Sequence, residues 1–295
     1  MLDPTDSSNS NNRETLILQP MGFTDILDGM FSFYRRHFRV FVGIAAVDLF
    51  AELIGQVLID FPQFIQPDSV QLVVVLVITI FGLIVSIGGI VVASAILYLG
   101  GRITARDALE RVLQRFFPLL ACALLWLLVV IVLAVTIVGI PFALYFAVRW
   151  GFFVETSLLE GISARHALKR SSELVSGMWW RMCGMLLAVC LLSAAIHAVF
   201  EISVGFVLVL SGVVIEIDLI DIIEWGTIGN PIFTPDDLIL YIVMTGLHLA
   251  LSLFTFPLWV IGVTLLYFNQ RIQKEGFDIQ MKSDISRNLD TRNSL

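Results

Sequence analysis

Charge is what this chain has least of. Lys, Arg, Asp and Glu make up 15% of its 295 residues, and 58% are apolar. So little charge cannot cover the surface of a water-soluble domain, which leaves the integral membrane class. Cysteine is scarce too. Cys122, Cys183 and Cys190 are odd in number, sit in or beside apolar runs and lack metal-ligand spacing, so they read as small packing residues. No phosphate-binding loop, H-E-x-x-H or G-x-S-x-G pattern is present. The expectation is therefore a protein that is not an enzyme and uses no cofactor or metal, with no nucleic acid among its partners. Basic residues are missing from Val213 to Asp237, which carries Glu216, Asp218, Asp221, Glu224, Asp236 and Asp237. Without the glycine spacing of a calcium loop, that segment reads as a solvated outer connection. The Ser/Asn/Asp-rich residues 1–21 lack a basic region leading into an apolar core, so a disordered tail is expected there, and a second tail over 281–295.

Long apolar runs are what the chain has in abundance. Six are read as spans: Val40 to Ile59, Val70 to Leu99, Leu119 to Val138, Phe142 to Leu159, Met182 to Phe206 and Leu238 to Phe268. The second is long enough, roughly 45 Å as a helix against roughly 30 Å of hydrocarbon, to tilt or to break at Gly88-Gly89. Gly82/Ser86 and Gly89/Ala93 are small-residue pairs suited to close helix packing. Gly139-Ile140-Pro141 predicts a tight reversal, and Pro257 a kink in the last span.

Between the spans lies an internal repeat. Ile103-Thr104-Ala105-Arg106-Asp107-Ala108-Leu109-Glu110-Arg111 returns at a constant offset of 59 as Ile162-Ser163-Ala164-Arg165-His166-Ala167-Leu168-Lys169-Arg170. Phe23 to Phe31, with Thr24 as helix cap, is a looser third version. Each has apolar residues at three- and four-residue spacing flanked by arginines, the pattern of an amphipathic helix lying in the membrane interface. The expected fold is therefore an all-α integral membrane domain over residues 22–280, with six transmembrane helices arranged as three helix-hairpin repeats. If the N-terminus is cytoplasmic, 17 of the 18 Lys and Arg fall on the cytoplasmic side and Arg149 lies within a span. The positive-inside rule then predicts a multi-pass protein of a plasma (inner) membrane with both termini cytoplasmic.

The two ends of the domain carry a family resemblance. Leu266-Tyr267-Phe268-Asn269-Gln270-Arg271-Ile272-Gln273-Lys274-Glu275-Gly276-Phe277-Asp278 is similar to the ending of the glycerophosphoryl diester phosphodiesterase membrane-domain family. There the last span closes with an aromatic pair, Asp-Leu-Arg, and then Arg-Lys-Glu-Gly-Phe-Asp. Thr24 to Gly29 with Tyr34-Arg35-Arg36 resembles that family's opening. Asn269 and Gln273 stand where the family has an acidic and a basic residue. The resemblance implies a membrane domain that some proteins join to a catalytic barrel. A barrel of that kind needs about 200 residues or more outside the membrane, so no phosphodiesterase activity is carried over.

Ionisable residues within spans are costly and are the first functional candidates. Asp48 and Glu52 share a face of the first span at i and i+4, and helical rise puts Glu52 and Arg149 at similar depth. The sequence thus predicts an intramembrane cluster of Asp48, Glu52 and Arg149 with a Glu52–Arg149 ion pair. Glu155 is expected to snorkel to the cytoplasmic surface, and His197 and Glu201 form an i, i+4 pair without further metal-ligand spacing. Arg106, Arg111, Arg165 and Arg170 are candidate contacts for anionic lipid headgroups. The favoured role is a non-catalytic module that organises anionic membrane lipid or a partner membrane or cytoplasmic protein. The alternative is a small transporter of an ion or headgroup-like solute through the charged cluster.

Overall fold

The structure is a computed structural model describing residues 22–60, 68–210 and 238–276. Among these residues it is all-helical: α1 (Phe23–Arg36), α2 (Phe38–Asp60), α3 (Asp68–Tyr98), α4 (Ala105–Gln114), α5 (Phe116–Ala134), α6 (Ile140–Arg149), α7 (Phe153–Leu159), α8 (Ala164–Val175), α9 (Trp179–Leu210) and α10 (Leu238–Glu275). Six stretches are long and apolar enough to cross a membrane: Phe38–Ile59, Ser69–Tyr98, Phe116–Ala134, Ile137–Leu159, Trp179–Val204 and Thr245–Glu275. The chain is a multi-pass membrane protein. The short helices α1, α4 and α8 precede α2, α5 and α9 at one end of the bundle, called the basic end below.

The tightest packing joins α2 and α3, and glycine makes it possible. A Cβ added at Gly82 would stand 2.3 Å from the Ala51 Cβ, and one at Gly89 2.7 Å from Ile44 Cγ2. Between them the Ser86 hydroxyl donates to the Ile44 carbonyl at 3.1 Å. The small-residue spacing thus lets two backbones approach where lipid gives no hydrophobic drive to pair. α3 does not break at Gly88-Gly89, as its sequence allowed, but runs unbroken to Tyr98. Both glycines are committed to packing, since a Cβ at Gly88 would meet Val112 of α4 at 2.9 Å. Along α3, Leu72, Val73, Leu76 and Val77 are exposed on the lipid-facing surface, whereas Ile90 to Ala93 are buried.

α10 is the central post. Ile261, Leu266, Tyr267 and Phe268 are buried in the main core, and Ile26 and Met30 of α1 join that core. Pro257 lies inside this helix without ending it. Lacking an N–H, it leaves the Leu253 carbonyl without its helical donor. α10 ends at Gly276, whose φ of 58° lies in the left-handed region. There its N–H donates to the Ile272 carbonyl at 3.2 Å, closing the last turn.

The fourth span differs most from expectation. It is two short helices, α6 and α7, separated by a turn at Trp150 to Phe152. Buried Ser171 of α8 staples the turn, its hydroxyl donating to the Arg149 carbonyl at 3.2 Å and accepting from the Phe152 N–H at 3.1 Å. α8 is correspondingly sunk into the bundle, burying Ala167, Leu168, Ser171, Ser172, Leu174 and Val175. α4 sits more superficially, burying only Ala108 and Val112.

Helix starts follow local chemistry. Thr104 caps α4, accepting from the Asp107 N–H at 3.3 Å while Asp107 accepts from the Thr104 N–H at 3.4 Å. Ser163 stands at the matching position of α8, but its hydroxyl engages His166 Nδ1 at 2.8 Å instead. α1 begins two residues earlier than Thr24 suggested, because Asp25 accepts from the Gly22 N–H at 2.9 Å and makes Gly22 the cap residue. Residues 1–21 and 277–295 and the acidic segment lie outside the described residues, and with them Phe277 and Asp278.

Candidate functional site

The predicted charged cluster comes apart in the structure. Arg149 closes α6 and turns toward the basic end: its Nε donates to Ser172 Oγ of α8 at 3.1 Å, and its Nη1 to the Tyr145 hydroxyl. Its guanidinium also sits 5.5 Å from the Tyr145 ring centroid. The expected Glu52–Arg149 ion pair is therefore not formed. Equal depth for the two residues holds only for one straight helix from Pro141, and the turn after Arg149 breaks that helix. Glu155 does not snorkel either. It lies beyond the same turn on α7 and is 2% exposed.

Asp48 and Glu52 do share one face, and they line a cavity of about 420 Å³ between α2, α9 and α10. Ser193 and His197 contribute from α9, Thr255 and Trp259 from α10. Asp48 is 7% exposed and Ser193 9%. Asp48 Oδ1 and Ser193 Oγ are both buried without a hydrogen-bond partner. Leaving such groups unmet costs about 1–3 kcal/mol each, and more for a charge, so they point to something that occupies the cavity.

The His197 Nδ1 lies 3.0 Å from the Thr255 hydroxyl. That hydroxyl donates its proton to the Leu251 carbonyl at 3.0 Å. With its proton so placed, the hydroxyl has a lone pair free to accept from a protonated Nδ1. The His248 ring stands edge-on to His197, with centroids 5.7 Å apart. Glu52 shares the larger cavity with Asp48 and His197 and lies with His248 on a second.

Glu52 also lines a second, smaller polar cavity of about 220 Å³, with Gln56, Thr79, Thr245 and His248. The two cavities meet at Glu52. Asp48, Glu52 and Gln56, at i, i+4 and i+8 of α2, make a polar strip directed away from the basic end. The Leu253 carbonyl freed by Pro257 belongs to a residue that lines the larger cavity. Among the described residues no group of three or more His, Cys, Asp or Glu is placed to hold a metal ion. No protein-family model, curated protein or solved structure matches the chain.

The basic candidates divide. Arg106 is solvated and pairs with Glu110 at 3.0 Å, and Arg111 and Arg165 are exposed. Arg170 is taken up by a network instead: Nε bonds Glu160 Oε2 at 2.9 Å and Nη2 pairs with Glu275. Burial works against its charge, but the Glu160 and Glu275 carboxylates outweigh it and raise the Arg170 pKa. Glu275 also holds Arg271 at 3.2 Å, and the Tyr267 hydroxyl donates to Glu160 at 2.9 Å. Lys274 donates to the Glu173 carbonyl at 2.6 Å and to the Ser176 carbonyl. The charged residues of the C-terminal motif thus tie α10 to α8. Where the resembled family has two charges, Gln273 donates to Asn269 at 3.2 Å and accepts from Arg181 at 3.3 Å.

Proposed function

We propose that the protein is a small membrane transporter that takes a small cation, the proton included, into the cavity between α2, α9 and α10. The observation that carries this reading is the partnerless Asp48 Oδ1 on the wall of a roomy cavity that also holds Glu52, Ser193, His197 and Thr255. Asp48 accepts the cation or its hydrogen bonds, and Glu52 passes it on toward the Gln56 side. His197 and His248 exchange protons as the carboxylates charge and discharge. The test uses proteoliposomes loaded with a pH-sensitive dye under an imposed potential, with Na⁺ or K⁺ as the alternative driving ion. Wild-type protein should carry a flux that Asp48→Asn abolishes while keeping its elution profile and helical content. Equal fluxes from wild type, Asp48→Asn and empty vesicles for all three ions overturn the reading.

A second reading, a non-catalytic module that organises anionic lipid, draws support from the outward-facing Arg111 and Arg165 at one end of the bundle. It treats α1, α4 and α8 as interfacial helices of three hairpin units, and the resemblance to the glycerophosphoryl diester phosphodiesterase membrane domain fits the same role. In this reading the basic end faces the cytoplasm of an inner membrane. Native mass spectrometry should then find an anionic lipid that is lost from the Arg111→Gln/Arg165→Gln double variant. Protein free of such lipid counts against it.

A further inference from the structure

Across α9 and α10 from the polar cavity lies another of about 440 Å³, enclosed by α3, α5, α7, α9 and α10. Its volume is in the range of small-molecule sites, and its walls are largely apolar, with two buried polar groups among them. One is Glu155, 2% exposed, whose carboxyl makes no hydrogen bond to another residue among those described. The other is Trp126, whose Nε1–H is buried without a partner. The Trp126 ring stacks on Phe153, with centroids 5.7 Å apart, and Phe153 lies on α7 two residues before Glu155. Two polar groups in an apolar chamber are costly unless a ligand meets them.

We propose that this cavity binds a membrane lipid carrying a free hydroxyl on an apolar body, a lipid alcohol. The indole N–H can only donate, whereas a carboxyl can accept in either protonation state. A hydroxyl accepts from the one and donates to the other. An ester or ketone satisfies the indole alone, and a hydrocarbon satisfies neither. Leu83, Leu124 and Leu127 line the cavity and are also exposed on the lipid-facing surface, so the ligand arrives from within the bilayer. Neither Glu155 nor Trp126 takes part in the transport reading, and the two proposals stand or fall separately.

The test is photo-crosslinking in nanodiscs with a long-chain alcohol bearing a mid-chain diazirine, against the same chain ending in methyl or methyl ether. The alcohol should label α5 or α7 saturably and far more than the other two probes. Trp126→Phe and Glu155→Leu should each weaken that labelling about five- to tenfold, the loss of one hydrogen bond, while Glu155→Gln keeps most of it. Equal labelling by the methyl-ended chain, or undiminished alcohol labelling of Trp126→Phe, overturns the proposal. Trp126→Phe keeps the ring stack, so it decides the matter even if Glu155→Leu fails to fold.

Discussion

Replacing Arg170 by methionine keeps an unbranched apolar stem and removes the charge, and the structure sets what that costs. The Arg170 side chain is 26% exposed, and those of its partners Glu160 and Glu275 are 18% and 24% exposed. In Arg170→Met the two carboxylates lose their shared cation and Glu160 keeps only the Tyr267 hydroxyl. Breaking a fully buried pair costs about 3–5 kcal/mol, and an exposed pair contributes at most about 1. Burial by roughly three quarters places Arg170→Met at about 2–3 kcal/mol. Its counterpart 59 residues earlier, Arg111, is exposed, so Arg111→Met should stay within about 0.5 kcal/mol. The assay is equilibrium unfolding in mixed micelles at increasing mole fractions of a denaturing detergent, followed by circular dichroism. Equal shifts in the two variants, or a loss below about 1 kcal/mol for Arg170→Met, would refute the reasoning.

Three further outcomes are expected. Gly82→Ala should destabilise by about 1–3 kcal/mol, because its Cβ would stand 2.3 Å from that of Ala51. Gly246→Ala, with nothing within 4 Å of the added Cβ, should cost nothing, and thermal melts in detergent compare the two. Ser171→Ala should speed hydrogen exchange at Phe152 while leaving mid-α3 amides protected, as mass spectrometry of exchanged peptides can show. His37 should titrate below its ordinary value of 6.5, since burial and then the neighbouring Arg36 disfavour its charged form. The native state therefore binds that proton less readily than the unfolded chain. The stability this contributes is fully present above 6.5 and is lost as pH falls through the lowered native value. NMR titration of ¹³C-labelled histidine, assigned with His37→Asn, would read it directly, and a midpoint at or above 6.5 would contradict it.

Interactions within one helix were legible, and those across helices were not. Six apolar runs gave six spanning stretches because length and hydropathy are properties of contiguous sequence. Gly82/Ser86 and Gly89 predicted a close packing face, since small residues at four-residue spacing lie on one side of any helix. The shared face of Asp48 and Glu52 was legible on the same ground. The partners of that face were not. His197 on α9 and Thr255 on α10 lie 58 residues apart, and His248 shares α10 with Thr255, so nothing in their spacing brings them to Glu52 on α2. A histidine within an apolar run was the available signal, and for His197 it pointed to Glu201, whose side chain is not among those described.

The error over Arg149 and Glu155 has a single origin and bears on function. Residues 142–159 read as a uniform apolar helix because hydropathy does not register a turn, and the group that makes the turn possible is a serine hydroxyl on α8. Ser171 satisfies the backbone polar groups that a break would otherwise leave bare at membrane depth, which is the condition for non-helical backbone there. Once the chain turns, Arg149 meets Ser172 and Tyr145 at the basic end, and Glu155 is delivered to the apolar chamber. The same displacement leaves the polar cavity without a guanidinium. Its carboxylates then share their cavities with imidazoles and hydroxyls, groups that can release a proton where an arginine would hold one permanently, and this difference favours a conducted cation over a fixed structural ion pair.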